Sequence, residues 1–209
     1  MTDPHRLRFP RAATAVLLSS AMAVTGCAHS NAPRNNGTDG MTDASTPQAL
    51  APPSTAAEMG RRFLKLIGSI ESRDELTPEL IRRVTGIVLD EVKPDELATG
   101  YASGDLGGGW RYILNFVPAS ASLRTGVALR FQQLHDGVTT MSAICELDFH
   151  HYHEAIQSMG FEARPVYGEI GEVRSWRYHK SDFVVGITAL DPLAGESGPI
   201  CVKTIATIN

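Results

Sequence analysis

Hydrophobic positions divide this chain into stretches of helical and of strand period. Met59, Phe63, Leu66, Ile67 and Ile70 fall at the i, i+4, i+7, i+8, i+11 spacing of one helix face, with Arg61, Arg62 and Lys65 on the opposite, wet side. Thr55 followed by Glu58 is a capping-box pair that places the start of this helix. After a loop at residues 71–76, Thr77, Pro78 and Glu79 supply an N-cap, a proline at the first helical position and an acid in the first turn. Leu80, Ile81 and Val84 give this second helix its apolar side, and Gly86 ends it.

Beyond Gly86 the period drops from 3.6 to 2. Trp110, Tyr112, Leu114 and Phe116 alternate with Arg111, Ile113 and Asn115, and Val127, Leu129 and Phe131 alternate with Ala128, Arg130 and Gln132. Residues 104–109 and 118–122, rich in Gly, Ser and Pro, are expected to be turns. Asp136-Gly137 suits a two-residue hairpin turn, so a strand should open at Val138 and run to about Leu147. Asp148 is placed to cap a third helix with Phe149, Tyr152, Ile156 and Met159 as its stripe and Gly160 as its stop. Strands are expected at 162–169, 173–179, 183–190 and 200–208. Both halves, 55–148 and 149–209, read as helix followed by strands, and both contain Trp-Arg-Tyr, at 110–112 and 176–178. The expected fold is α+β: a helix-loop-helix and an antiparallel meander, built as a degenerate tandem repeat that forms one large sheet with helices on one face.

The N-terminal segment changes the picture of where such a domain works. Arg6, Arg8 and Arg11 precede an apolar run at residues 12–24, too short to span a bilayer comfortably and better read as a removed export signal. The run closes on Val24-Thr25-Gly26-Cys27, which closely resembles the lipobox of bacterial lipoproteins. That resemblance implies a signal peptide at 1–26, a mature chain beginning at Cys27, and a lipid (acyl groups such as palmitate) on Cys27. With Ala28 rather than Asp after the cysteine, it also implies sorting to the outer membrane, facing the periplasm. Residues 27–54 are mostly Asn, Gly, Thr, Asp, Ser, Ala and Pro with almost no large apolar side chain, the composition of a flexible tether. Residues 55–209 are left as one α+β binding domain.

The formal charge of the chain is −4, and removing a leader with three arginines against Asp3 takes the mature chain to −6. This disfavours nucleic acid or anionic lipid as partner, because neutralising phosphates needs an excess of Lys and Arg, and by net charge a basic partner is the electrostatically easier one. Of the three cysteines, Cys27 takes the lipid, and Cys145 and Cys201 remain as a pair in an oxidising compartment, so a disulfide between them is expected, with two buried thiols as the alternative.

Candidate chemistry is sparse. His150, His151 and His153 with Glu146, Asp148 and Glu154 have metal-ligand side chains, but the histidines point to different sides of a helix, so at most two could share one ion without help from elsewhere. A solvated helix face is the competing reading. The glycines of 104–109 lead into a strand and lack a following Lys-Ser/Thr, so they do not make a phosphate cradle. No nucleophile elbow, paired catalytic carboxylates or activated cysteine is recognisable, so the chain is read as a non-enzyme without metal or cofactor. What remains is Trp110, Tyr112, Trp176 and Tyr178 with Arg111, Arg130 and Arg177, residue types that dominate protein interfaces, and Asp105 in the adjacent loop. The aromatic side chains are equally suited to sheet core, but alternation sets Arg111 and Arg177 on the opposite face, which an antiparallel sheet can leave open.

The helix at 76–86, the Trp110-Arg111-Tyr112 strand and Val127-Ala128-Leu129-Arg130-Phe131 followed by Asp136-Gly137-Val138 together resemble a known unit. It is similar to the small lipoprotein of the outer-membrane barrel-assembly machinery and to the β-lactamase-inhibitory proteins, over about residues 63–140. That resemblance implies two helices followed by a meander, and binding of another protein by the sheet and its loops. The expected function is therefore a protein-binding lipoprotein, most concretely an immunity or inhibitor protein against a toxin or wall-targeting hydrolase. An outer-membrane assembly accessory is the alternative, and a metal-binding or catalytic domain the third.

Overall fold

The computed structural model of the chain describes residues 50–90, 100–135, 140–190 and 198–208. The lipobox, its leader and nearly all of the tether lie outside them, as do the Asp136-Gly137 turn and most of the loop at 191–199.

Helix α1 (Ala56–Gly68) begins where Thr55 accepts a hydrogen bond from the Glu58 amide. The reciprocal half of the capping box is shifted by one residue, because the Glu58 carboxylate accepts from the Ser54 amide instead. That bond, joined by Arg62, holds the Glu58 carboxyl below its usual range. Met59, Phe63, Leu66 and Ile67 are fully buried, and burying each such side chain contributes about 1.5–3 kcal/mol. The loop at 71–76 contains a 3-10 turn, Arg73–Glu75. Helix α2 (Pro78–Thr85) is capped by Thr77 and stops at Gly86, whose φ of 76° lies in the left-handed region where a side chain would be strained.

Seven described strands form one antiparallel sheet: β1 (Gly100–Gly107), β2 (Trp110–Val117), β3 (Gly126–Gln133), β4 (Glu162–Tyr167), β5 (Val173–Lys180), β6 (Phe183–Ala189) and β7 (Val202–Thr207). Their spatial order is β1-β2-β3-β7-β6-β5-β4. Two hairpin-connected runs, β1 to β3 and β4 to β7, are thus joined edge to edge by the β3–β7 pair, in which Leu129 faces Ile205. The two Trp-Arg-Tyr segments occupy corresponding places, on β2 and β5, each second from an edge of the sheet. The fold is α+β, with buried stripes of the helices and one face of the sheet in a single core.

Two expectations are corrected. The stretch expected as a strand from Val138 to Leu147 contains helix α3 (Ser142–Cys145), with Met141, Ile144 and Leu147 buried at a spacing of three. A strand there would compete for the edge of β3 that β7 occupies. The glycine-rich stretch at 104–109 is not all loop: β1 runs through it to Gly107, and only Gly107, Gly108 and Gly109 take the positive φ of a tight turn. Gly104 is on the covered face, and a Cβ there would sit 2.5 Å from Cε1 of Tyr112, so glycine is required for the ring to lie across β1.

The third helix forms as expected. In α4 (Phe149–Ser158), Asp148 accepts from the His151 amide, Tyr152 and Ile156 are buried, and Phe149 and Met159 are half-buried. The phenol of Tyr152 rests on Gly60 of α1, and burial pushes its pKa up.

Candidate functional site

Strand pleating assigns each side chain to one of two faces, and directly paired residues share a face. One face carries Tyr112 with Phe131, Leu114 with Ala102 and Leu129, Ile205 with Ile187, and Val185 with Tyr178, and it is buried under the helices. The other carries two rows across the whole sheet. One reads Tyr101, Asn115, Ala128, Ala206, Gly186, Arg177, Arg164, and the next Ser103, Ile113, Arg130, Thr204, Thr188, Ser175, Val166. A third, shorter row sets Asp105 opposite Arg111, and Arg111 opposite Gln132. These side chains are half-buried or exposed, and no described element covers them.

Arg111, Arg130 and Arg177 therefore share this face, as the alternation predicts. Arg111 Nη2 donates to the Gln132 side-chain oxygen at 3.2 Å, while its Nε is buried without a hydrogen-bond acceptor among the described residues. Arg130 and Arg177 are exposed and make no ion pair among the described residues. Asp105 lies on the strand rather than in a loop, and its Oδ1 accepts the Gly107 amide at 2.7 Å, which shapes the β1–β2 turn. The structure adds Arg164, directly opposite Arg177 on the neighbouring strand. Arg164 donates to Glu162 at 3.0 Å, a bond that holds the Glu162 carboxyl below its usual range. Sequence reasoning missed Arg164, although its place at the second position after Glu162 in the expected strand puts the two side chains on one face.

The aromatic residues of the candidate set go the other way. Trp110, Tyr112 and Tyr178 are core, 1%, 4% and 0% exposed, which removes them from any contact surface. Trp110 lies over the covered face and its indole donates to the Thr140 carbonyl at 3.1 Å. Burial raises the Tyr112 pKa, against the lowering effect of the Arg62 charge, and burial also raises that of Tyr178. Trp176 is half-buried on the helix side, its ring centroid 5.1 Å from that of His153 and 5.9 Å from that of Phe149. Alternation favoured neither face for interface use; burial decides it, because large aromatic rings gain most by leaving water.

The three histidines go to separate partners. His151 Nδ1 is 2.6 Å from Asp148, His150 Nε2 is 3.2 Å from Glu154, and His153 Nδ1 is 2.9 Å from the Tyr178 hydroxyl. Burial pushes the Asp148 carboxyl up, but the His151 amide and ring bonds and the charges of His151 and His150 outweigh it, so its pKa is lowered. Among the described residues no group of three or more His, Cys, Asp and Glu is placed to hold a metal ion.

Cys145 and Cys201 come together at disulfide distance, their Cα atoms 4.9 Å apart. They join the end of α3 to the residue before β7.

Compared with protein-family models, with curated proteins and with solved structures, the chain finds no match.

Proposed function

We propose that this chain is a lipid-anchored envelope protein that binds another protein through the uncovered sheet face, most concretely as an immunity or inhibitor protein against a toxin or wall-targeting hydrolase. The observation that supports the binding role is an antiparallel sheet buried on one side and, on the other, lined by arginines that no described element covers. Such a face presents a wide surface with fixed geometry, because the backbone below it is held on both sides by ladder hydrogen bonds. Arginine is among the residues most often decisive in protein contacts. The envelope location rests on Val24-Thr25-Gly26-Cys27, and among the described residues no helix is long and apolar enough to cross a membrane. A lipid on Cys27 would supply the anchor.

The reading is tested in cells. Changing Cys27 to Ser is expected to move the protein from the membrane fraction to the soluble periplasm; unchanged fractionation would remove the anchor. Deleting the gene is expected to be harmless until a secreted effector encoded beside it is expressed, and then lethal. Deletion that makes the envelope leaky without any effector would instead favour the assembly-accessory role.

A further inference from the structure

We propose that the partner of this face is an acidic protein surface, bound by Arg111, Arg130 and Arg177 through carboxylates that the described residues of the chain do not provide. The inference rests on the protein-binding reading and goes on to name the chemistry of the partner. The chain has a formal charge of −4, yet the two full rows and the shorter row of the uncovered face carry arginine at 111, 130, 164 and 177 against one carboxylate, Asp105, with Glu162 two positions from Arg164 in the neighbouring row opposite His179. Both carboxylates are engaged within the chain: Asp105 accepts the Gly107 amide, and Glu162 accepts from Arg164. Away from this face Arg62, Arg124 and Arg174 have a carboxylate partner, Glu58, Asp182 and Glu172, whereas Arg82 and Arg83 on α2 have none among the described residues.

One detail points to an anion missing beside Arg177. Arg177 and Arg164 are directly opposite on adjacent strands, where like charges disfavour the pairing, and the carboxylate bound there, Glu162, is held by Arg164 and leaves Arg177 without one among the described residues. A guanidinium fork matches a carboxylate in two parallel bonds, so Asp and Glu side chains of a partner fit these donors. An anionic bilayer fits less well, since it would also meet the acidic remainder of the chain.

The test uses the full chain and a labelled oligoglutamate peptide as probe. Binding is expected at about 20 mM salt and should be largely screened by about 300 mM. The Arg130→Glu/Arg177→Glu variant should bind the probe at least about tenfold more weakly, because like charges across a contact repel. Arg130→Gln/Arg177→Gln should fall between that variant and the native chain. Thermal melts of the variants identify any loss that comes from unfolding, and an oligolysine peptide should not bind this face.

Oligoglutamate that does not bind, or binds both variants as well as it binds the native chain, overturns the assignment. So does binding to phosphatidylglycerol vesicles through the same arginines in place of the peptide. An effector still neutralised with both arginines reversed would leave the inhibitor reading standing and remove only the acidic partner. Probe binding through this face in a chain that protects against no effector would do the opposite.

Discussion

Replacing both Cys145 and Cys201 by Ala is expected to lower the unfolding free energy by about 4 kcal/mol, the largest stability effect anticipated in this chain. The two cysteines are 56 residues apart in sequence, and a cross-link closing a loop of that size restricts the unfolded ensemble by about 4 kcal/mol at 25 °C. For a domain whose whole stability is of the order of 5–15 kcal/mol, this is a substantial fraction. The pair also fixes α3, a helix of only four residues that could not persist alone, against the segment leading into β7. Urea unfolding of the oxidised protein and of the double variant checks this. A midpoint difference worth less than about 1 kcal/mol would show that the link is strained or absent.

Arg73→Ala is expected to cost about 3 kcal/mol, through a different cause. Arg73 is 5% exposed, and its guanidinium donates to the Thr125 carbonyl at 2.8 Å, the Ile208 carbonyl at 2.9 Å and the Thr207 hydroxyl at 3.4 Å. One side chain thus ties the 3-10 turn to the residue before β3 and to the end of β7. Burial lowers its pKa, as does the nearby Arg124 charge, against a raising effect from Asp182. A guanidinium stays charged even so, and its hydrogen bonds are therefore of the stronger, charge-assisted kind. Truncation leaves two carbonyls without this donor and a cavity beside them, hence the estimate. Arg73→Lys keeps the charge but not the fork, and should recover only part of the loss. Chemical denaturation of both variants decides it; an Ala variant within about 0.5 kcal/mol of the native protein would mean that water replaces the guanidinium without cost.

These two cases also show what could be read from sequence and what could not. The helices α1, α2 and α4 were legible because caps and apolar spacing agree: Thr55, Thr77 and Asp148 each accept from an amide three residues on, and Gly86 takes the left-handed turn expected of it. Strands β2, β3, β5 and β6 were legible from alternation, and alternation also put Arg111, Arg130 and Arg177 on one face. Strand β1 was hidden because Gly100, Gly104 and Gly107 carry no side chain to show a period. Helix α3 was hidden because Val138, Thr139, Thr140 and Ile144 favour strands locally, while the burial of Met141, Ile144 and Leu147 that reveals a helical turn depends on tertiary packing. Arg73 looked like an ordinary loop cation: its acceptors come from residues 52 to 135 positions away, and no local pattern reports them. The strand order has the same character, since the pairing of β3 with β7 joins the two ends of the strand region.

The central claim is that the arginine-bearing sheet face, and not the helical side, carries binding. The direct measurement is the affinity of the proposed partner, a secreted effector expected to be encoded beside this gene, for three forms of the protein: native, Arg111→Ala/Arg177→Ala, and Arg82→Ala/Arg83→Ala on α2. Losing arginine contacts at the centre of an interface typically costs about 2 kcal/mol or more, equivalent to at least about 30-fold in Kd. The account predicts such a loss for the first pair with an unchanged thermal midpoint, and native affinity for the α2 pair. Native affinity in Arg111→Ala/Arg177→Ala, or an equal loss in the α2 variant, would contradict it.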